Sequence, residues 1–388
     1  MSVALFVGTR KGAFVFTSKD RATWEIAGPY YLGHTANHVV LDPRDGRTVL
    51  MASRAGHLGP TVYRSTDAGR TWAEAELPPR FPKVDEKPEE LAYRPDQVLA
   101  VAPRRSVSAV FWLTPGHPSE PGVWYAGTSP HGLFRSEDGG NTWHEVEGFN
   151  NHPMRLQWSN NDDPKFAPPG GATTHSIIVD PRDKNHLYLG LSTGGFFEST
   201  DRGADWRPLN RGCDAVFLPE PDAEFGHDPH CARLAPSNPD RLYQQNHCGI
   251  YRIDRPSNRW VRVGDAMPEE VGDIGFAVEV HPRDADVAWV FPMDGTDVWP
   301  RTSPDGRPGV FCTRDGGHRW QRQSEGMPPR AWWTVYRQSV SVDRADPVGV
   351  YFGTSSGELW GSTDEGESWR PIVQHLPAVV SVEAAELN

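Results

Sequence analysis

Fifteen histidines are spread through 388 residues, and their positions relative to turns are not random. His57 (AGHLG), His131 (SPHGL) and His247 (QNHCG) each sit in a short turn that contains glycine. Counting five residues back from the Asp of a D-P turn, or its equivalent, gives Asn37, His175, His230 and Gln338, each at the start of an apolar run. Imidazoles converging with an Asn or Gln amide suit one divalent transition metal such as Zn, Mn or Fe. The candidate ligands are His34, His38, His175, His227, His230 and His247. Asn37, His57, His131, Trp158 and Gln338 are candidate substrate contacts, and Arg155 and Asp228 candidate catalytic groups. A metal held this way would act as a Lewis acid or activate water, for a hydrolase or lyase on a small polar or carbohydrate-like substrate. No organic cofactor is indicated. The plainer role for the same histidines is hydrogen bonding to backbone and water along a polar channel.

Two other chemistries compete with the metal. Asp162, Asp163, Asp222, Glu224 and Asp228 supply carboxylates, and a suitably spaced pair would hydrolyse glycosides without metal. Trp112, Trp158, Trp332 and Trp333 could stack on a sugar or simply pack inside the fold. Cys231 and Cys248 each follow a candidate histidine. Neighbouring strand positions point to opposite faces, so these thiols read as small buried residues.

What must position these groups is a repeat. STDAGRTW (65–72) recurs as SEDGGNTW (136–143), STDRGADW (199–206), TRDGGHRW (313–320) and STDEGESW (362–369). Degraded copies stand at SKDRATW (18–24) and RIDRPSNRW (252–260), making seven. Self-similarity at this period marks a blade array. Around each copy runs a four-stranded meander: NHVVLDP, TVLMASR, TVYRS and TWAEAEL in one unit, HSIIVDP, HLYLGLS, GGFFES and DWRPL in another. The expected class is therefore all-β, a seven-bladed β-propeller of four-stranded antiparallel blades forming one domain over 1–388. The blades fall at about 1–30 plus 378–388, 31–80, 98–147, 172–210, 228–264, 272–325 and 330–373. The first copy lacks an innermost strand and AVVSVEAA (378–385) follows the last blade, so that segment is expected to close the ring.

In the full box the Asp can accept backbone hydrogen bonds across the turn, the Gly supplies a positive φ, and the Trp buries a large apolar surface. Seven equivalent aspartates around a ring cannot share one active site, so they are structural. Their turns mark one face. The long crossings 78–98, 147–173, 207–229 and 262–273 and the loop 293–309 belong to the other, with ten of the histidines.

The net charge of −12 leaves no basic footprint for nucleic acid or for an anionic membrane surface. No apolar run approaches a membrane span, and MSVALFVGTRKG is too short in its apolar part for a signal peptide. Four cysteines give no disulfide framework, so a cytoplasmic protein is expected. Oligomeric state is not legible.

The blade pattern of V-D-P-R-D, a short strand, G-G-x-F-x-S and the box resembles the BNR/Asp-box repeat superfamily over nearly the whole chain. That superfamily includes sialidases, two-propeller xyloglucanases, sortilin-type receptors and photosystem II assembly factors, so the resemblance implies a fold and leaves function open. Sialidases resemble six-bladed propellers with a Phe/Tyr-Arg-Ile-Pro segment. The nearest string here, Tyr251-Arg252-Ile253-Asp254, occupies the structural slot before a box, and sialidase activity is not expected. Oligogalacturonate lyases offer a looser analogy, a seven-bladed propeller with a metal on His and Gln. A non-catalytic binding or assembly propeller is the remaining alternative.

Overall fold

A computed structural model describes residues 2–82, 106–158, 172–220, 223–295 and 301–387. Seven four-stranded antiparallel sheets are arranged as blades. The strands of each are labelled a to d, from the axis outward. The second blade is typical: Thr35–Leu41, Val49–Ala55, Gly59–Ser65 and Ala73–Glu74. Alternation of buried and partly exposed residues is weak in strands a to c, as strands covered on both faces require. Large side chains such as Trp124, Tyr188, Tyr243 and Trp289 are fully buried there.

The first blade is completed by the C-terminal end of the chain. Val379–Leu387 pairs antiparallel with Ser2–Thr9 from Ser2↔Leu387 to Thr9↔Val379, two residues further than the sequence suggested. Joining the ends in one sheet leaves no open gap between first and last blades.

The repeated turn does mechanical work. In the second blade Ser65 Oγ donates to Asp67 Oδ1 at 2.7 Å, and Gly69 N–H donates to Ser65 Oγ at 2.8 Å. Thr71 N–H and Oγ1–H donate to the two oxygens of Asp67 at 2.9 and 2.6 Å. Ala68 and Gly69 take φ of 60° and 87°, the left-handed region that glycine enters without strain. The Ser/Thr hydroxyl and backbone N–H bonds to the Asp recur at Asp138, Asp201, Asp315 and Asp364, and the second hydroxyl bond at Asp138 and Asp364. The following tryptophan then packs between neighbours: Trp260 is buried and donates to Leu209 O in the preceding blade at 2.8 Å, and Trp320 donates to Val263 O at 2.9 Å.

Candidate functional site

On the face opposite the boxes a cavity of about 560 Å³ opens at the axis. Its wall is built by one repeated irregularity. Most innermost strands are interrupted near their start by a β-bulge. Ala36 pairs with Ser53 and His38 with Ala52, so Asn37 is the extra residue. Phe111, His230 and Val380 are extra in the same way in their strands. The sixth blade has its irregularity between Gly275 and Val278, at Phe276. A bulge bends the strand and re-aims its extra side chain. Asn37, Phe111, His230, Phe276, Gln338 and Val380 share one register position and all line the cavity. The fourth blade is the exception. His175 still pairs with Gly190, the shift coming one step later, and its ring lies over Gly190, where an added Cβ would meet Cε1 at 2.8 Å.

One wall holds a compact donor set. Asp228 Oδ2 lies 3.3 Å from His230 Nε2 and 3.5 Å from His247 Nδ1. The ligand atoms of the three all fall within 4.8 Å of one another. His230 Nδ1 is 2.6 Å from Gly275 O. A carbonyl only accepts, so Nδ1 carries the proton and the lone pair of a neutral ring sits on Nε2, facing the carboxylate. Burial favours that neutral ring, against the pull of Asp228. Lone pair against carboxylate is repulsive unless a proton or a cation stands between them. Zn–N and Zn–O bonds of about 2.0–2.1 Å place tetrahedral ligand atoms roughly 3.4 Å apart, close to both separations. Asp228 Oδ1 is meanwhile held by Thr193 N–H at 3.0 Å, and His247 N–H donates to Asp228 O at 2.9 Å. Asp228 Oδ2, His230 Nε2 and His247 Nδ1 are thus suited to a divalent cation with positions left open to the cavity.

The other candidate ligands do not join this group. His38 spends both nitrogens: Leu113 N–H donates to Nδ1 at 3.0 Å, leaving Nε2–H for Glu383 Oε1 at 2.9 Å. His34 sits beside Tyr31 and Tyr63 with Nδ1 3.3 Å from Ser53 Oγ. His227 donates to Ala223 O within its own loop at 2.7 Å. His175 bonds Ser176 Oγ through Nδ1 at 2.9 Å, and its Nε2 is buried without a hydrogen-bond partner.

Among the candidate substrate contacts, Asn37 and Gln338 reach the wall, tethered to Val110 O and Phe111 O at 2.9 and 2.7 Å. His57 is exposed on a short 3-10 turn away from the cavity, and His131 is buried against Ser192 O. Trp158 is a packing residue, buried between His152 (4.2 Å) and Phe197 (4.7 Å). Arg155 is likewise buried off the cavity and donates to His131 O. Of the two candidate catalytic groups, only Asp228 lines the cavity. Trp112 and Trp333 are buried, whereas Trp332 is exposed but lies outside the described cavity wall. Asp162, Asp163 and Asp222 fall outside the described residues. Glu224 is exposed, away from the wall.

Sequence reasoning passed over the arginines. Arg10, Arg54, Arg301 and Arg337 line the cavity, and Asp228 is the one carboxylate among its described lining residues. Arg10 and Arg54 close strands b of the first two blades, and Arg337 precedes Gln338. Arg337's place beside Gln338 was the available signal.

No protein-family model matches the chain. The oligoxyloglucan-reducing end-specific xyloglucanase of Emericella nidulans is 26 % identical over 207 residues, 49 % of this chain and 24 % of that protein. A xyloglucanase of a Paenibacillus species is 23 % identical over 305 residues, 72 % of this chain and 25 % of that protein. The chain therefore spans about a quarter of the length of these relatives. Among solved structures, the GH74 xyloglucanase from Xanthomonas campestris matches with a TM-score of 0.63 at 18 % identity, covering 98 % of this chain and 52 % of that one. The likeness is one of fold. This propeller shares its blade architecture with those enzymes, and its function must be argued from its own cavity.

Proposed function

We propose that this propeller is a carbohydrate-active hydrolase whose site is the axial cavity, with a divalent metal on Asp228, His230 and His247. The observation that carries this reading is the His230 tautomer: Nδ1–H donates to Gly275 O, which leaves the Nε2 lone pair toward Asp228 Oδ2. A cation satisfies both groups at once. With three protein ligands it keeps a position open, where it can polarise a water or a substrate hydroxyl. Similarity to xyloglucanases supports a sugar substrate. A metal-free mechanism with two carboxylates finds less support, since Asp228 stands alone among the described lining residues.

Metal content of the purified full chain tests the reading, together with release of reducing ends from a panel of oligosaccharides that includes xyloglucan fragments. One equivalent of metal, and hydrolysis that stops on chelation and returns on adding metal back, is the expected result. Hydrolysis that survives chelation, or protein that takes up no stoichiometric metal when loaded, overturns it.

A further inference from the structure

Arg337 stands at the wall of the cavity beside two aromatic rings, its guanidinium carbon 5.7 Å from the Phe111 centroid and 5.5 Å from that of Phe276. Both rings come from bulge positions, so the feature that shapes the cavity also holds this cation in place. No hydrogen bond or ion pair joins its side chain to any described residue, and its Nε is buried without a partner. Several other buried or half-buried arginines face a carboxylate directly: Arg233 faces Glu279, Arg241 faces Asp254 and Arg255 faces Glu198. A half-buried guanidinium without a direct hydrogen-bond partner carries a cost that aromatic faces and the nearby Asp228 charge offset only in part. Arg10, Arg54 and Arg301 add positive charge around the same opening, in a chain of net charge −12. Opposite charges concentrated in one cleft focus the field there, whatever the overall balance.

We propose that the cavity takes a sugar bearing an acidic group, and that Arg337 receives its carboxylate or phosphate. The proposal deepens the carbohydrate reading above and rests on it for the sugar, while the anion preference rests on the arginines. The planar fork of a guanidinium matches either oxyanion through two parallel N–H bonds. Asn37 and Gln338, each anchored to a backbone carbonyl, stand on the same wall with Thr35 and Thr334 as neutral groups for hydroxyls. Asp228 and Arg337 line the same cavity, so an acid held at Arg337 shares that space with the donor set.

The test is calorimetric titration of the full chain, stripped of metal and again with zinc, against galacturonate, glucose 6-phosphate and glucose. The acids should bind and glucose should not, with affinity falling as salt rises. Which acid binds more tightly identifies the oxyanion. Arg337→Met should weaken binding by about 30-fold or more, and Arg337→Lys by less. The control Arg319→Met, on an exposed box turn of the opposite face, should bind as the parent does. Should Arg337→Met fail to fold by circular dichroism, Arg337→Lys and Arg54→Met carry the same test. Acids that bind no better than glucose, or folded Arg337 variants that bind them like the parent, overturn the proposal. Failure of zinc uptake with acid binding intact would remove the metal reading and leave this one standing.

Discussion

His38 and Glu383 join the innermost strand of the second blade to the C-terminal strand that completes the first, through an Nε2–H···Oε1 bond of 2.9 Å. His38 is buried, its Nδ1 accepts Leu113 N–H from the third blade, and one imidazole thereby ties three blades together around the axis. Replacing it with Ala leaves the buried Leu113 N–H without a partner, which costs about 1–3 kcal/mol, while the partly exposed Glu383 carboxylate turns to water. His38→Ala should therefore lower the denaturant midpoint with little change in slope, while Glu383→Gln, which can still accept, should cost less.

Ring closure makes a stronger claim. A chain ending near residue 375 loses the strand Val379–Leu387 and exposes the paired edge of Ser2–Thr9. Such a truncate should fail to give a cooperative unfolding transition. A soluble truncate with native near-ultraviolet circular dichroism would show that closure is dispensable.

The box aspartates set the acid limit of the fold. Hydrogen bonds from Thr23 and Ala22 N–H hold Asp20 down to about 2, and the Thr71 hydroxyl and N–H depress Asp67 further. Asp138, Asp201, Asp315 and Asp364 shift the same way, hydrogen bonds outweighing a burial that pushes upward. A carboxylate whose folded pKa lies below its unfolded value stabilises fully above the unfolded value, and that contribution is lost as pH falls through the folded one. Stability should be flat with respect to these groups near neutrality and decline below about pH 4. Asp67→Asn should flatten that decline, measured as denaturant midpoints between pH 2 and 6.

Two histidines at the same register should behave differently. His230→Ala removes a lining residue, and metal affinity should fall by more than about 100-fold, since even supporting groups of a metal site contribute 10–100-fold. His175→Ala touches no member of the donor set and should leave metal affinity within a few-fold while lowering stability. Competition with a chelating dye measures both.

Trp158→Ala should destabilise and leave ligand affinity alone. The ring is buried against His152 and Phe197, and removing an aromatic from such a core costs about 3–5 kcal/mol. Loss of sugar binding in a folded Trp158→Ala protein would return this residue to the site.

Several features were determined by sequence alone. Seven box turns can be counted in it, five with the full Ser/Thr-x-Asp-x-Gly and two degraded; the full boxes are local hydrogen-bonded devices, and period-2 strands between turns follow from side chains alternating in direction. The unmatched inner strand at 378–385 was legible for the same reason, because a ring leaves no strand without a blade. The site was legible only as a face and a register. His230 and His175 hold equivalent positions five residues before the strand-ending turn, yet the bulge falls on His230 and only after His175, and one ring enters the cavity while the other lies over Gly190. Bulges depend on how two strands meet, and nothing in either strand's own sequence announces them. Only the tertiary structure brought Asp228 from a crossing, His247 from a turn and Arg337 from another blade to one opening, because convergence at an axis is a property of the closed ring and of no segment by itself.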